Sequence, residues 1–339
     1  MPGFNNQIKQ ILILSLLIAL ILISITQLHI FLPGLLGALT LYILSRGSYF
    51  QLVYHRKWRN GWTAGLFLLG YVFLLCLVIY VIVILLGPKI QLFLDDPALM
   101  INTAKKAVAD LQQKTGFTFI TENELSAFLK KLSGLLPKLI NDTADLLLNL
   151  VLMLFMLYYM LVHGKGMEQY LGIIIPLKHN NIEILASETK RIVKASALGI
   201  PIISIIQGLA ATLGYFLFGI DDFVLWGFIT GVFAFFPVVG TMLIWIPLVL
   251  SVYAGGDTWN ATWLFFYSAI VTGNVDYLAR ITLLKRMGNI HPVVTVLGVL
   301  VGLGLFGFIG LIFGPLLVNY IVLLFRIYSN EFIENKPDS

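Results

Sequence analysis

The sequence predicts an all-α, polytopic integral membrane protein with about eight hydrophobic segments, two of them broken in their middles by glycine and proline. Composition carries the first half of that statement. Hydrophobic residues fill 59% of 339 positions and charged residues only 12%, where soluble domains average about 25% charged; the mean hydropathy is +0.92. The breaks fall at Phe235-Phe236-Pro237-Val238-Val239-Gly240 and at Gly302-Leu303-Gly304-Leu305-Phe306-Gly307-Phe308-Ile309-Gly310. A bilayer offers no water to backbone groups freed at a helix break, so such breaks survive at membrane depth only where protein or a wet cavity covers them. In secondary transporters a pair of interrupted segments points to the binding site.

A helix needs about 20 apolar residues to cross the hydrocarbon, and the candidate runs are 11–31, 34–45, 63–87, 143–163, 195–219, 223–253, 258–281 and 292–327. The first exceeds the ~7–15 residues of a signal-peptide core and lacks a small-residue cleavage site, so it is expected to be a retained span. The second is short and follows the Leu32-Pro33-Gly34 turn directly, which predicts a tight hairpin with the first or a span paired with a shallow partial helix. The sixth and eighth are long enough for one tilted span or for two half-helices, and their central breaks favour hairpins.

Orientation follows from basic residues in short loops, which stay cytoplasmic. Segment 46–60 carries Arg46, Arg56, Lys57 and Arg59 with no acid. Segment 164–194 holds Lys165, Lys178, Lys190, Arg191 and Lys194 against Glu168, Glu183 and Glu188, and Lys285 and Arg286 precede His291-Pro292. All three are expected in the cytoplasm. Segment 223–253 must then cross an even number of times, as a re-entrant hairpin does, while 292–327 is a hairpin or a single crossing. The termini are expected to be cytoplasmic.

The 89–142 segment is the one sizeable polar block, its lysines and acids nearly cancelling, and it is expected outside. Asp96-Pro97 reads as an N-cap with proline at the first helical position, and Thr121 with Glu124 as a capping box. Leu125, Phe128, Leu129, Leu132, Leu135 and Leu136 then keep the spacing of an amphipathic helix, lying on the membrane or packing on a neighbouring protomer. The chain thus divides into membrane helices over 1–88, the 89–142 block, a membrane helix plus cytoplasmic amphipathic helix over 143–194, a C-terminal core over 195–328 and a disordered tail over 329–339.

Ionisable residues at membrane depth are costly and face a partner or a cavity. Asp276 and Arg280 are four residues apart, on one face of a helix, where they can form an ion pair, bind a polar solute or exchange a proton against a cation. Asp221 and Asp222 beside Gly219 are weaker candidates, read most simply as an exposed turn and helix start. The lone Cys76 excludes an intrachain disulfide and a multi-cysteine metal site, and His29, His163 and His291 fit no metal spacing. No His-Glu-x-x-His, phosphate loop or other enzyme template occurs, and Gly302-x-Gly304-x-x-Gly307 lacks the strand-helix setting of a dinucleotide fingerprint. Neither an enzyme nor a cofactor is expected, and the net charge of +5 reflects basic loops rather than nucleic-acid binding.

Asn274-Val275-Asp276-Tyr277-Leu278-Ala279-Arg280, Leu283-Leu284-Lys285-Arg286, His291-Pro292, Leu297-Gly298-Val299-Leu300-Val301-Gly302 and Phe313-Gly314-Pro315 together resemble the signature of the autoinducer-2 exporter (AI-2E) family, and Phe236-Pro237-Val238-Val239-Gly240 matches its "(I/F)PxxG" element. The resemblance implies a bacterial inner-membrane transporter, homo-oligomeric in its bilayer, exporting a small polar solute such as autoinducer-2 or exchanging sodium or lithium for protons. Related chains commonly read Asp-Asn and Arg-Pro where this one has Asp276-Tyr277 and Arg280-Ile281. On this reading Asp276 is the protonatable group, Arg280 tunes its charge and Asn274 supplies a polar contact. Pro237, Gly240, Gly302, Gly304, Gly307, Gly310, Gly314 and Pro315 shape the half-helix tips, or serve close helix packing. The alternative is a non-transporting membrane scaffold or assembly factor.

Overall fold

The computed structural model describes residues 6–95, 143–174, 179–236, 239–275, 292–306 and 310–329, with a few isolated positions between 109 and 127. Every regular element among them is helical. The expected caps and amphipathic helix within 96–136 lie outside the described residues, as does the tail beyond 329.

Helix α1 (Asn6–Leu28) passes through a short turn (His29–Phe31) into α2 (Leu32–Phe50). Pro33 sits in the first turn of α2, where its missing N–H would have had no helical partner. At 1.5 Å per residue the 19-residue α2 is about 28 Å long, more than the apolar run 34–45 suggested. It packs along α4 (Thr143–Ile174), and the contact surface explains why. Gly34 and Gly37 open a groove in α2: a Cβ on Gly34 would lie 2.7 Å from the Asn149 carbonyl oxygen, and one on Gly37 2.6 Å from Met153 Sδ. Asn149, 8% exposed, fills this groove with three hydrogen bonds. Its Oδ1 accepts from the Gly34 N–H at 3.0 Å, and its Nδ2 donates to the carbonyls of Ile30 at 3.1 Å and Asp145 at 2.9 Å.

Helix α3 (Asn60–Asp95) is the most apolar of the three helices long enough to cross a membrane among the described residues, and its best 18-residue window has no buried residue. Leu69, Phe73, Leu77 and Tyr80 stand exposed, as a lipid-facing surface requires. Helix α4 is longer than the predicted 143–163, running through the basic segment to Ile174 despite Gly164, Gly166 and Gly172.

Helix α5 (His179–Lys194) is the amphipathic helix expected in the cytoplasmic segment, but it does not end in a loop. A π-helical turn (Ala195–Gly199) carries it straight into α6 (Ile200–Leu217). Its apolar stripe, Ile192 and Val193, joins Phe313, Leu316, Leu323 and Ile327, with Leu36, Ile43 and Leu44 of α2 packed alongside. Loss of that apolar face to water would cost more than a loop could return.

Both broken segments fold as helical hairpins. The first is α7 (Phe223–Phe233) and α8 (Val239–Ala254); the second is α10 (Pro292–Phe306) and α11 (Gly310–Tyr328). Between them α9 (Thr258–Tyr267) continues into a π-helical turn (Ser268–Thr272), the third among the described residues after Gln51–His55 and Ala195–Gly199. Asp257 caps α9, accepting from the Asn260 N–H at 3.1 Å.

Two ion pairs tie the ends of the bundle. Arg46 on α2 pairs with both carboxylate oxygens of Glu168 on α4, joining the two basic segments assigned to one face. Lys89 on α3 pairs with Asp222 at 2.5 Å at the other end.

Candidate functional site

The C-terminal helices approach one another through glycine. On α6 and α7, a Cβ on Gly208 would lie 3.2 Å from both the Gly227 carbonyl oxygen and the Gly231 Cα, and one on Gly231 3.0 Å from the Ser204 carbonyl oxygen. Gly227 and Gly231, four apart, form the small-x-x-x-small face that lets backbones touch in a bilayer. Hydroxyls then fasten the pair: Tyr215 and Thr230 meet at 3.0 Å, and Tyr267 from α9 donates to the Ala210 carbonyl at 2.8 Å.

Of the residues expected to shape the half-helix tips, Gly240 is buried against α7, where a Cβ would lie 2.8 Å from the Phe233 carbonyl carbon. Gly302, Gly310 and Gly314 sit in the α10–α11 contact. A Cβ on Gly302 would be 2.6 Å from the Gly314 Cα, and one on Gly314 would be 2.7 Å from the Gly298 carbonyl carbon. Pro315 is buried beside them, its nitrogen 2.6 Å from where a Gly298 Cβ would stand. Among the described members of this group Gly304 alone is exposed, with nothing within 4 Å of a Cβ. Pro237 and Gly307 lie outside the described residues, as do Asp276 and Arg280.

Asn274 is exposed, its Nδ2 donating to the Ile270 carbonyl at 2.6 Å. Asp221 and Asp222 are exposed in the turn before α7. Asp222 adopts φ 53°, a left-handed conformation that aspartate tolerates, and its side chain serves Lys89 rather than capping the helix.

The sequence reading passed over a line of small polar residues. Ser196, Ser204, Gln207, Ser268 and Thr272 are each at most 5% exposed, and an oxygen of each has no hydrogen-bond partner. The available signal was helical spacing: Ser204 and Gln207 are three apart on α6, Ser268 and Thr272 four apart on the following π turn. Gly208, Gly227 and Gly231 were missed as well, being scattered outside the two conspicuous breaks.

Residues 11–330 match the family described as AI-2E family transporter. The chain belongs to that family. Among curated relatives, a candidate transport protein of Aquifex aeolicus is 23% identical over 63% of this chain and 60% of its own length. One of Helicobacter pylori J99 is 27% identical over 62% of each chain. The candidate transport protein YdiK of Escherichia coli K12 is 28% identical over 50% of this chain and 44% of its own length. The chain thus spans about three fifths of the length of the first two relatives.

Proposed function

We propose that this AI-2E chain is a secondary transporter of the bacterial inner membrane, working as a homo-oligomer and moving a small polar solute or a monovalent cation against protons. The observation that carries the reading is the pair of interrupted segments, each folded as a hairpin, the second with arms that meet through glycine backbones and the first seated on α6 through Gly227 and Gly231. Half-helix tips supply backbone groups to a solute without the cost of exposing them to lipid. The pathway runs between the α7–α8 and α10–α11 hairpins. Asp276 is its protonatable group, Arg280 tunes that charge, and Asn274 reaches it by releasing the bond to Ile270. The names of the relatives support a transport role in general terms, and the substrate is open to direct assay.

The test is pH-gradient-driven flux in proteoliposomes, screening sodium, lithium and autoinducer-2 with a dye reporting internal pH. Flux of one of these in wild type, abolished in Asp276→Asn with folding intact, is the expected result. A silent Asp276→Asn would remove Asp276 from the mechanism, and no flux in well-incorporated wild type would move the reading to a membrane scaffold.

A further inference from the structure

One face of α3 is hollow. Trp58, Gly61, Trp62, Gly65 and Leu69 follow one another at helical spacing, and with Tyr158 of α4 they line a groove of about 980 Å³, the size of a small-molecule site. The glycines make its floor: a Cβ on Gly65 would meet nothing within 4 Å, and one on Gly61 would reach only the Tyr158 hydroxyl, at 3.2 Å. Trp62 and Leu69 stand exposed along the groove, while Thr63 and Ala64 are fully buried on the other side of α3, which turns the groove outward. From Gly61 to Val72, the last lining residue, the helix rises about 17 Å at 1.5 Å per residue. A single leaflet's hydrocarbon is roughly 15 Å deep, half of a bilayer core.

The mouth of the groove is basic. Trp58 lies between Lys57 and Arg59, and Arg56 adjoins them. All three cations are exposed, and none has an ion-pair partner among the described residues. Glu168, on α4 at this end, is held by Arg46. The bend that carries the cations is a fixed structure. Lys57 takes φ 57°, a left-handed conformation uncommon for lysine. The Arg56 and Trp58 N–H groups donate to the Gln51 and Leu52 carbonyls at 3.3 and 3.2 Å, and Tyr49 donates to the Asn60 carbonyl at 3.2 Å. Indole rings favour the headgroup level of a membrane, so Trp58 and Trp62 set the mouth there and the rest of the groove at hydrocarbon depth.

We propose that this groove is a site for one anionic phospholipid, whose acyl chain lies along Gly61, Gly65 and Leu69 and whose phosphate is held by Arg56, Lys57 and Arg59. The apolar floor accepts any chain, and the unpaired cations select negative charge, which a zwitterionic headgroup does not supply. A helix of a second copy of this chain, about 10–12 Å across with its side chains, would have to pass the exposed Trp62 and would leave the three cations without counter-charge. The site stands apart from the transport reading, since it concerns binding on α3 alone.

The experiment titrates phosphatidylglycerol, or phosphatidylcholine with the same chains, into the full chain in nonionic detergent. The thermal unfolding midpoint is followed, because a lipid that binds the folded state raises it with concentration, together with quenching of tryptophan fluorescence by brominated chains. Wild type should respond saturably and prefer phosphatidylglycerol about tenfold or more, since each basic residue near a lipid phosphate is worth about fivefold. Changing Arg56, Lys57 and Arg59 together to Gln should abolish that preference. Gly65→Leu fills the floor without a clash and should weaken binding of both lipids about tenfold or more, since each buried methylene is worth about fourfold. Gly70→Leu adds the same bulk on α3 outside the groove, again with nothing within 4 Å, and should bind as wild type does. Equal affinity of wild type for the two lipids would overturn the proposal, as would Gly65→Leu binding as Gly70→Leu does. Saturation by glycerol phosphate alone would make the mouth a simple anion site and overturn it too. A change in oligomer size by light scattering in Gly65→Leu, with lipid binding intact, would hand the groove to a second copy.

Discussion

Gly302 and Gly310 meet backbone to backbone across the second hairpin, so closely that a Cβ on Gly302 would lie 2.9 Å from the Gly310 carbonyl carbon. The neighbouring atoms are main chain on both sides and cannot rotate away. Gly302→Ala or Gly310→Ala must therefore push α10 and α11 apart, at a cost of about 1–3 kcal/mol for such overpacking.

Gly304 provides the matched control. It is two residues from Gly302, exposed, and faces open space, so Gly304→Ala should be neutral or stabilising by up to about 1 kcal/mol through helix propensity. Thermal unfolding of the three variants in detergent checks the contrast, with the midpoint falling for Gly302→Ala and Gly310→Ala and holding for Gly304→Ala.

Asn149 is the polar key of the N-terminal half. Replacing it by leucine keeps the approximate volume but strands the Gly34 N–H and the Ile30 carbonyl, both of which it now satisfies. An unsatisfied buried group costs about 1–3 kcal/mol, so Asn149→Leu should destabilise the α2–α4 contact. Hydrogen exchange is the sharper readout. The Gly34 amide should exchange faster in the variant, while amides of α6 and α7 keep their wild-type rates.

The pattern of apolar runs made the helices legible, and the Pro237–Gly240 and Gly302–Gly310 breaks made the two hairpins legible, because helix-breaking residues inside lipid leave few other folds. The continuity of α5 into α6 was hidden. Lys190, Arg191 and Lys194 mark the expected end of the cytoplasmic amphipathic helix at 194, yet a helix whose apolar stripe has Phe313 and Leu316 to pack against need not end where its charges do. The second run was underestimated for a related reason: Ser45 and Tyr49 look polar, but both are buried and bonded, Ser45 with Tyr71 and Tyr49 with the Asn60 carbonyl. The unpartnered hydroxyls of Ser204, Ser268 and Thr272 left almost no trace, since serine and threonine are common in membrane helices and only tertiary packing distinguishes a back-bonded hydroxyl from a free one. The partners of Asn149 and Glu168 lie more than a hundred residues away in the chain, a separation that no local pattern encodes.

The pair of Arg46 and Glu168 ends the α2–α4 seam with two parallel hydrogen bonds, the Arg46 Nη2 to Glu168 Oε2 contact measuring 2.6 Å, while Tyr42 donates to the same carboxylate at 2.7 Å. Both charged side chains keep considerable exposure, 43% and 32%, so solvent screening limits the pair to no more than about 1 kcal/mol. Its larger effect is geometric, because arginine and carboxylate match only in one orientation. Arg46→Glu should destabilise the protein by placing two carboxylates together, and the exchanged double variant Arg46→Glu with Glu168→Arg should recover part of the loss. Arg46→Lys keeps the charge but gives up the fork and should sit between wild type and Arg46→Glu. A double-mutant cycle on unfolding midpoints, run at low and high salt, measures the coupling; a coupling unchanged by salt would mean that packing of Arg46 on the Phe50 ring, 5.1 Å away, outweighs the ion pair.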